Sequence, residues 1–168
     1  MEDAMKTLNA DTVQSFHLPR WEEIPGVDLY LDQVVRFINE ALEPIATGGE
    51  GKKTDVLTKS MINNYVKNSL LIAPKGKLYS KKQISKLFVI CVLKKVYSMA
   101  EIKRATELAL EDMSIPDTYD HFCTLFEEIL SCTFRNRAFS AEDEDERQRM
   151  MKSILLSCSY KIYVQSLL

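Results

Sequence analysis

The chain has 168 residues, 46% of them hydrophobic, enough for one compact core or a small domain with a helical extension but not for two large independent domains. Its longest apolar run, over 87–93, is cut off by Lys94 and Lys95, short of the ~20 residues a membrane helix needs, and the opening Met1-Glu2-Asp3 lacks the pattern of a secretory signal, so a cytoplasmic protein is expected. The net charge of −2 hides a partition: residues 1–51 carry three basic against ten acidic side chains, 52–104 thirteen against two, and 105–168 six against twelve.

Residues 1–27 have weak periodicity and include His17, Pro19, Trp21, Pro25 and Gly26, which predicts an extended N-terminal arm with aromatics packed on the body. From Asp28, a capable N-cap, Leu31, Val34, Val35, Ile38 and Leu42 recur at helical spacing, and Pro44 with the run Thr47-Gly48-Gly49-Glu50-Gly51 ends that helix. The glycine-rich run has no preceding strand and no GxxxxGK[ST] spacing, so it reads as a linker and not as a phosphate loop.

A second helix is expected from the N-cap Thr58 to about Asn68, with Met61, Ile62, Tyr65 and Val66 on one side and Lys59, Asn63 and Lys67 on the other. The tight turn Ala73-Pro74-Lys75-Gly76-Lys77 leads to Leu78-Tyr79. Ser80-Lys81-Lys82-Gln83 then has the form of a capping box opening a helix to Leu93, and Ser98-Met99-Ala100-Glu101 repeats the device for a helix to about Asp112. Pro116 suits a first turn before Phe122, Leu125, Phe126, Ile129 and Leu130, to about Asn136. Ser140 is expected to cap a final helix whose first turn holds Glu142-Asp143-Glu144-Asp145-Glu146 and whose apolar end must be buried on this chain or a second copy. The fold class is therefore predominantly all-α.

The basic block suits a polyanion, and the residues within it give that expectation a form. The stretch Ile62-Asn63-Asn64-Tyr65-Val66-Lys67-Asn68-Ser69-Leu70-Leu71, then Pro74-Lys75, Tyr79-Ser80 and Ser98-Met99-Ala100-Glu101-Ile102-Lys103, resembles the MerR-type DNA-binding domain, which reads roughly I-R-Y-Y-x-x-x-G-L-L, P-x-R, a Y-R-x-Y wing and S-L-x-E-I. Leu18-Pro19-Arg20-Trp21 and Leu57-Thr58-Lys59-Ser60-Met61-Ile62-Asn63-Asn64-Tyr65 also resemble an uncharacterised bacterial family, the domain of unknown function eighteen-thirty-six. The MerR resemblance implies a short-winged helix-turn-helix over 28–112 and a helical dimerisation or effector region over 113–168. By it Asn63 stands where relatives carry Arg, Asn64 and Tyr65 where they carry the paired Tyr, Lys75 replaces the Arg after Pro74, and Lys77 and Tyr79 align with the wing's Arg and Tyr. Double-stranded DNA is the expected partner, with Lys59, Lys67, Lys75, Lys77, Lys81 and Lys82 on phosphates, Ser60, Asn63 and Asn64 at base edges, and Tyr79 in the wing. The resemblance also implies a homodimer, since a symmetric reader of a near-palindrome needs two copies.

Two other readings compete with a transcriptional regulator. A MerR-like scaffold without DNA binding would turn the same basic surface to an acidic protein, and helices over 116–168 would enclose a small-molecule effector pocket lined by Phe122, Phe126, Phe134, Met150 and Tyr163. Catalysis is not expected. His17 and His121 are the chain's histidines, and His121 and Cys123, two apart on a helix, point to different sides. Cys91, Cys123, Cys132 and Cys158 form no CxxC pair, so reduced thiols are expected, with no metal and no cofactor.

Overall fold

The computed structural model describes residues 8–46, 55–140 and 145–168. The arm is not extended throughout. Asn9 caps a short helix α1 (Ala10–Ser15), its Oδ1 accepting from Thr12 N at 3.0 Å, and a 3-10 turn follows at Trp21–Glu23. Six residues cannot hold a helix in water by propensity alone. α1 persists because Val13 and the adjoining Phe16 and Leu18 bury against the helix α6 (Ile115–Phe134), with Phe16 meeting Phe126 edge to face at 6.3 Å.

A strand β1 (Leu29–Tyr30) runs directly into α2 (Leu31–Leu42), which starts later than the sequence suggests. Gln33 causes the delay. Its Oε1 accepts from Tyr30 N at 2.9 Å, so Tyr30 and not Asp28 stands at the cap. Pro44 lies in a 3-10 turn, Glu43–Ile45, and the glycine-rich linker falls outside the described residues. Beyond it, α3 (Lys59–Lys67) begins at the expected cap, Thr58 Oγ1 accepting from Met61 N at 3.2 Å.

α3 ends on Ser69 at φ 59°, where Leu70 N donates to Tyr65 O (2.9 Å) and Ser69 N to Val66 O (3.1 Å). This is the Schellman closure, with serine where glycine is usual. The chain then reverses between Lys75 and Leu78, which exchange backbone hydrogen bonds at 3.2 and 3.0 Å around Gly76 (φ 55°) and Lys77 (φ 64°). Two positive-φ central residues make this a two-residue hairpin turn of the I′ kind. Its outgoing strand β2 (Leu78–Tyr79) pairs antiparallel with β1, Leu29 opposite Tyr79 and Tyr30 opposite Leu78.

Ser80 and Ser98 open α4 (Lys81–Leu93) and α5 (Met99–Ala109) with the capping boxes read from the sequence: Ser80 N donates to Gln83 Oε1 at 2.8 Å and Ser98 N to Glu101 Oε2 at 2.7 Å. α6 starts from Ser114, with Pro116 in its first turn. The last helix, α7 (Glu146–Leu167), is capped by Asp145 and not by Ser140. Much of the acidic run expected to fill its first turn, 142–144, lies outside the described residues.

α4 is the central element. Ile84, Leu87, Phe88, Ile90, Cys91, Val92 and Leu93 are all buried, so it is covered on nearly every side. α2, α6 and α7 pack on it, and one hydrophobic core runs from Val13 through Ile38, Ile62, Phe88 and Phe126 to Ile162. The arm, the segment 28–112 and the helices beyond it share that core.

Candidate nucleic-acid interface

The backbone leading into α3 is fastened on both sides. Asn39, on α2, donates to Leu57 O (2.7 Å) and accepts from Leu57 N (3.0 Å), so one side-chain amide satisfies both polar groups of a fully buried residue. Lys94, at the end of α4, turns inward and donates to Val56 O at 2.5 Å, and burial holds its ammonium below the usual lysine range. Ile62 and Tyr65 anchor the inner face of α3 in the core, and burial pushes the Tyr65 hydroxyl up to about 12. What remains outside is the face that carries Lys59, Ser60, Asn63, Asn64 and Lys67, all exposed.

These polar side chains differ in their freedom. Asn64 is engaged within its own helix: Asn68 Nδ2 donates to both Asn64 O (2.8 Å) and Asn64 Oδ1 (2.9 Å), and Asn64 Nδ2 lies 4.0 Å from Met99 Sδ. Asn63 makes no side-chain hydrogen bond to the described residues, which leaves its donor and acceptor available for a base edge.

Lys75 and Lys77 project from the hairpin turn into solvent. The root of that turn is tied to α4 by Gln83, whose Nε2 donates to Ile72 O (2.9 Å) and Ala73 O (3.1 Å) while its Oε1 holds Ser80. Tyr79 does not join them. It is 3% exposed, because the pairing with β1 turns its ring inward, and burial raises its hydroxyl pKa, so it stabilises the turn from below and leaves the contact set. Lys81 is spoken for as well: its Nζ sits 5.7 Å from the Trp21 ring centre and 3.9 Å from Glu22 Oε2. Lys82 is exposed.

Among the described residues Lys59, Lys67, Lys75, Lys77 and Lys82 have no carboxylate within ion-pair distance. Lys103, Arg104, Arg137, Arg149 and Lys161 are likewise exposed without one, whereas three arginines are matched. Arg20 meets Glu127 (2.5 and 3.1 Å), Arg36 meets Glu40 (3.0 Å), and Arg147 bridges Glu111 and Asp112.

The Arg20–Glu127 pair belongs to a clamp that closes the arm on α6. Glu127 also accepts from Leu18 N (3.0 Å), Asp120 accepts from Trp21 N (2.8 Å), and Tyr119 donates to Pro19 O (2.6 Å). Residues 19–122 match the domain of unknown function DUF1836. The chain belongs to that family. The matched stretch begins and ends in the clamp, so its two ends are joined by the hydrogen bonds of Pro19 and Trp21 to Tyr119 and Asp120. No curated protein and no solved structure matches the chain.

The other sequence candidates fall elsewhere. His121 is exposed and Cys123 fully buried, on opposite sides of α6, and no group of three or more metal-ligating side chains forms among the described residues. Phe126 is solid core, Phe134 packs edge to face on Tyr163, and Met150 lines a separate cleft with Leu108 and Arg147, so the five side chains expected to line one effector pocket over 116–168 are not brought together. Phe122 lines a different cavity, bounded by α4 and α5 as well as α6 and α7. No described helix is long and apolar enough to cross a membrane. Sequence reasoning missed Asn39, Lys94 and the bonds by which Gln83, read only as a capping residue, holds the root of the turn. Asn39 and Lys94 had a faint signal as polar residues next to buried helix positions, but their partners are 18 and 38 residues away.

Proposed function

We propose that this DUF1836 protein is a DNA-binding transcriptional regulator with a MerR-like winged helix-turn-helix, in which α2 and α3 are the helix pair, the 75–78 turn is the wing, and the exposed face of α3 enters the major groove. The observation that carries this reading is the set of five exposed lysines on α3, the wing and the start of α4 that lack an ion-pair partner among the described residues, in a chain of net charge −2, while the neighbouring Lys81 is paired with Glu22. Unpaired cations keep their full Coulombic attraction for phosphate and release counterions on contact. Asn63, between Lys59 and Lys67, is the side chain best placed to read a base; Ser60 is a second donor, and Asn64 positions Asn68.

Two copies act together. Tyr160, Val164 and Leu167 recur along the end of α7 at 57%, 48% and 69% exposure, an apolar stripe that a second α7 would cover. The competing reading, an acidic protein partner, draws support from Lys81, whose charge is met by Glu22 of the acidic arm. Selection of bound sequences from a random DNA pool tests the proposal. Enrichment of a two-fold site with half-sites about one helical turn apart supports it, and recovery of the unselected pool even at low salt would sink it.

A further inference from the structure

Between α4, α5, α6 and α7 lies a cavity of about 320 Å³, partly open to solvent. Its size falls at the low end of the roughly 300–1,000 Å³ of small-molecule sites. Most of its wall is apolar, with Leu70, Val89, Ala109, Ile115, Phe122 and Leu155 among the lining residues. Two features break that apolarity. Lys82 and Lys86, one helical turn apart on α4, both line it, and so does Thr118 of α6.

Lys86 is half-buried, and desolvation lowers its pKa; Glu107 on α5 favours its charge while Lys103 and Lys82 oppose it. No described carboxylate reaches ion-pair distance of Lys82 or Lys86. Thr118 Oγ1 is the one shielded side-chain polar atom among the described residues without a hydrogen-bond partner. An unmade hydrogen bond and a half-desolvated cation both cost stability, and an oxyanion arriving at Lys86 would relieve the second.

We propose that this cavity binds a small carboxylic acid with an apolar body, its carboxylate at Lys86 and its hydrocarbon along the wall between α5 and α7. Shape alone would admit any apolar guest or a second copy of the chain. The charge decides for an anion, because an apolar guest or protein helix entering here would leave Lys86 buried without a partner. The cavity shares Lys82 with the proposed DNA interface, but the anion site rests on Lys86 and the apolar wall and does not depend on DNA binding.

Decanoate, below its micelle concentration, is the probe, titrated calorimetrically into the full chain alongside 1-decanol and decylammonium. We expect saturable binding of decanoate, at least about tenfold weaker binding of the alcohol, and none of the ammonium, in line with the strength of charge-assisted hydrogen bonds. Lys86→Met should weaken decanoate about tenfold or more. Ala109→Phe should abolish binding by filling the cavity, with far-UV circular dichroism reporting that each variant is folded. Absence of decanoate binding, equal binding of all three probes, or full affinity in a folded Lys86→Met overturns the proposal. So does an Ala109→Phe variant that dissociates a dimer while decanoate gives no heat, since the cavity would then belong to a second copy.

Discussion

Replacing Lys75 by Gln and Lys77 by Asn separates an electrostatic DNA interface from a merely basic surface. On α3, the 75–78 turn and the start of α4, five exposed lysines per copy lack an ion pair among the described residues: Lys59, Lys67, Lys75, Lys77 and Lys82. If each neutralises one phosphate, the slope of log K against log salt is about −4.5 per copy, so affinity falls about 500-fold between about 50 and 200 mM salt. The double variant keeps three contacts, which gives a slope of about −2.7 and a fall of about 40-fold over the same range. Lys77→Asn suits the φ of 64° better than lysine does, so the variant should be at least as stable as the parent and its weaker binding cannot be ascribed to unfolding. Lys81→Gln is the control. Its charge already faces Glu22 and the Trp21 ring, and removing it should change the slope by less than about half a unit. Fluorescence anisotropy on a random-sequence duplex at several salt concentrations reads all three proteins. Equal slopes for parent and double variant, or a Lys81→Gln effect as large as the double variant's, would refute the assignment of these lysines to phosphate.

Four further outcomes follow from the packing. Ser69→Gly relieves a left-handed serine at the end of α3 and should raise stability by about 0.5–1 kcal/mol, read as a rise in Tm of roughly 1–4 °C. Glu127→Ala removes the acceptor for Leu18 N and both Arg20 nitrogens; with these side chains about a fifth to a quarter exposed, a loss of about 2 kcal/mol by urea denaturation is expected, together with faster proteolysis before Trp21. Cys91, Cys123 and Cys158 are buried, with thiols pushed up to about 11, 12 and 12, so their thiolates are scarce below that range; Ellman's reagent at pH 8 should titrate Cys132 promptly and the other three only after unfolding. Val164→Glu together with Leu167→Glu should leave a folded monomer in light scattering, and an unchanged mass would count against α7 as the dimer contact.

Local chemistry made much of this fold legible. Thr58, Ser80 and Ser98 announce their helices because a cap is a contact between residues two or three apart, and the structure realises all three where the sequence puts them. The errors share one cause, competition from outside the window. Helix α1 owes its existence to Phe126 and the rest of α6, about a hundred residues away, and not to its own weak pattern. Asp28 and Ser140 are adequate caps that lost to Tyr30 with Gln33 and to Asp145 with Gln148. At the site, exposure of Lys59, Asn63 and Lys67 followed from helical period, because Ile62 and Tyr65 must face the core. The burial of Tyr79 and the loss of Lys81 to Glu22 did not, since the first depends on pairing with β1 and the second on a partner 59 positions earlier.

The backbone from α3 to the 75–78 turn holds two residues in a left-handed conformation that their side chains disfavour. Among the described residues the non-glycine residues at positive φ are Ser69, Lys77 and Asn136. Asn136 is chemically at ease there, closing α6 as Ser69 closes α3. Serine at 69 and lysine at 77 are not: each carries about 1–2 kcal/mol of left-handed strain, of which glycine would recover about 0.5–1 kcal/mol after its larger loss of chain entropy. Selection for stability alone would remove both. A lysine at the second central position of a two-residue turn puts a cation at the farthest point the turn can reach, which is useful only if something negative lies beyond it. The serine has no such direct reward, yet it sets the exit of the chain from α3 and so the path to Lys75 and Lys77. Ser69→Gly therefore separates the two residues: it should stabilise the fold and leave the salt dependence of DNA binding unchanged, whereas Lys77→Gly should stabilise the fold and reduce the slope by about 0.9. Should Lys77→Gly stabilise the protein without touching DNA affinity, the strain at the tip would lose its functional explanation, and the wing with it.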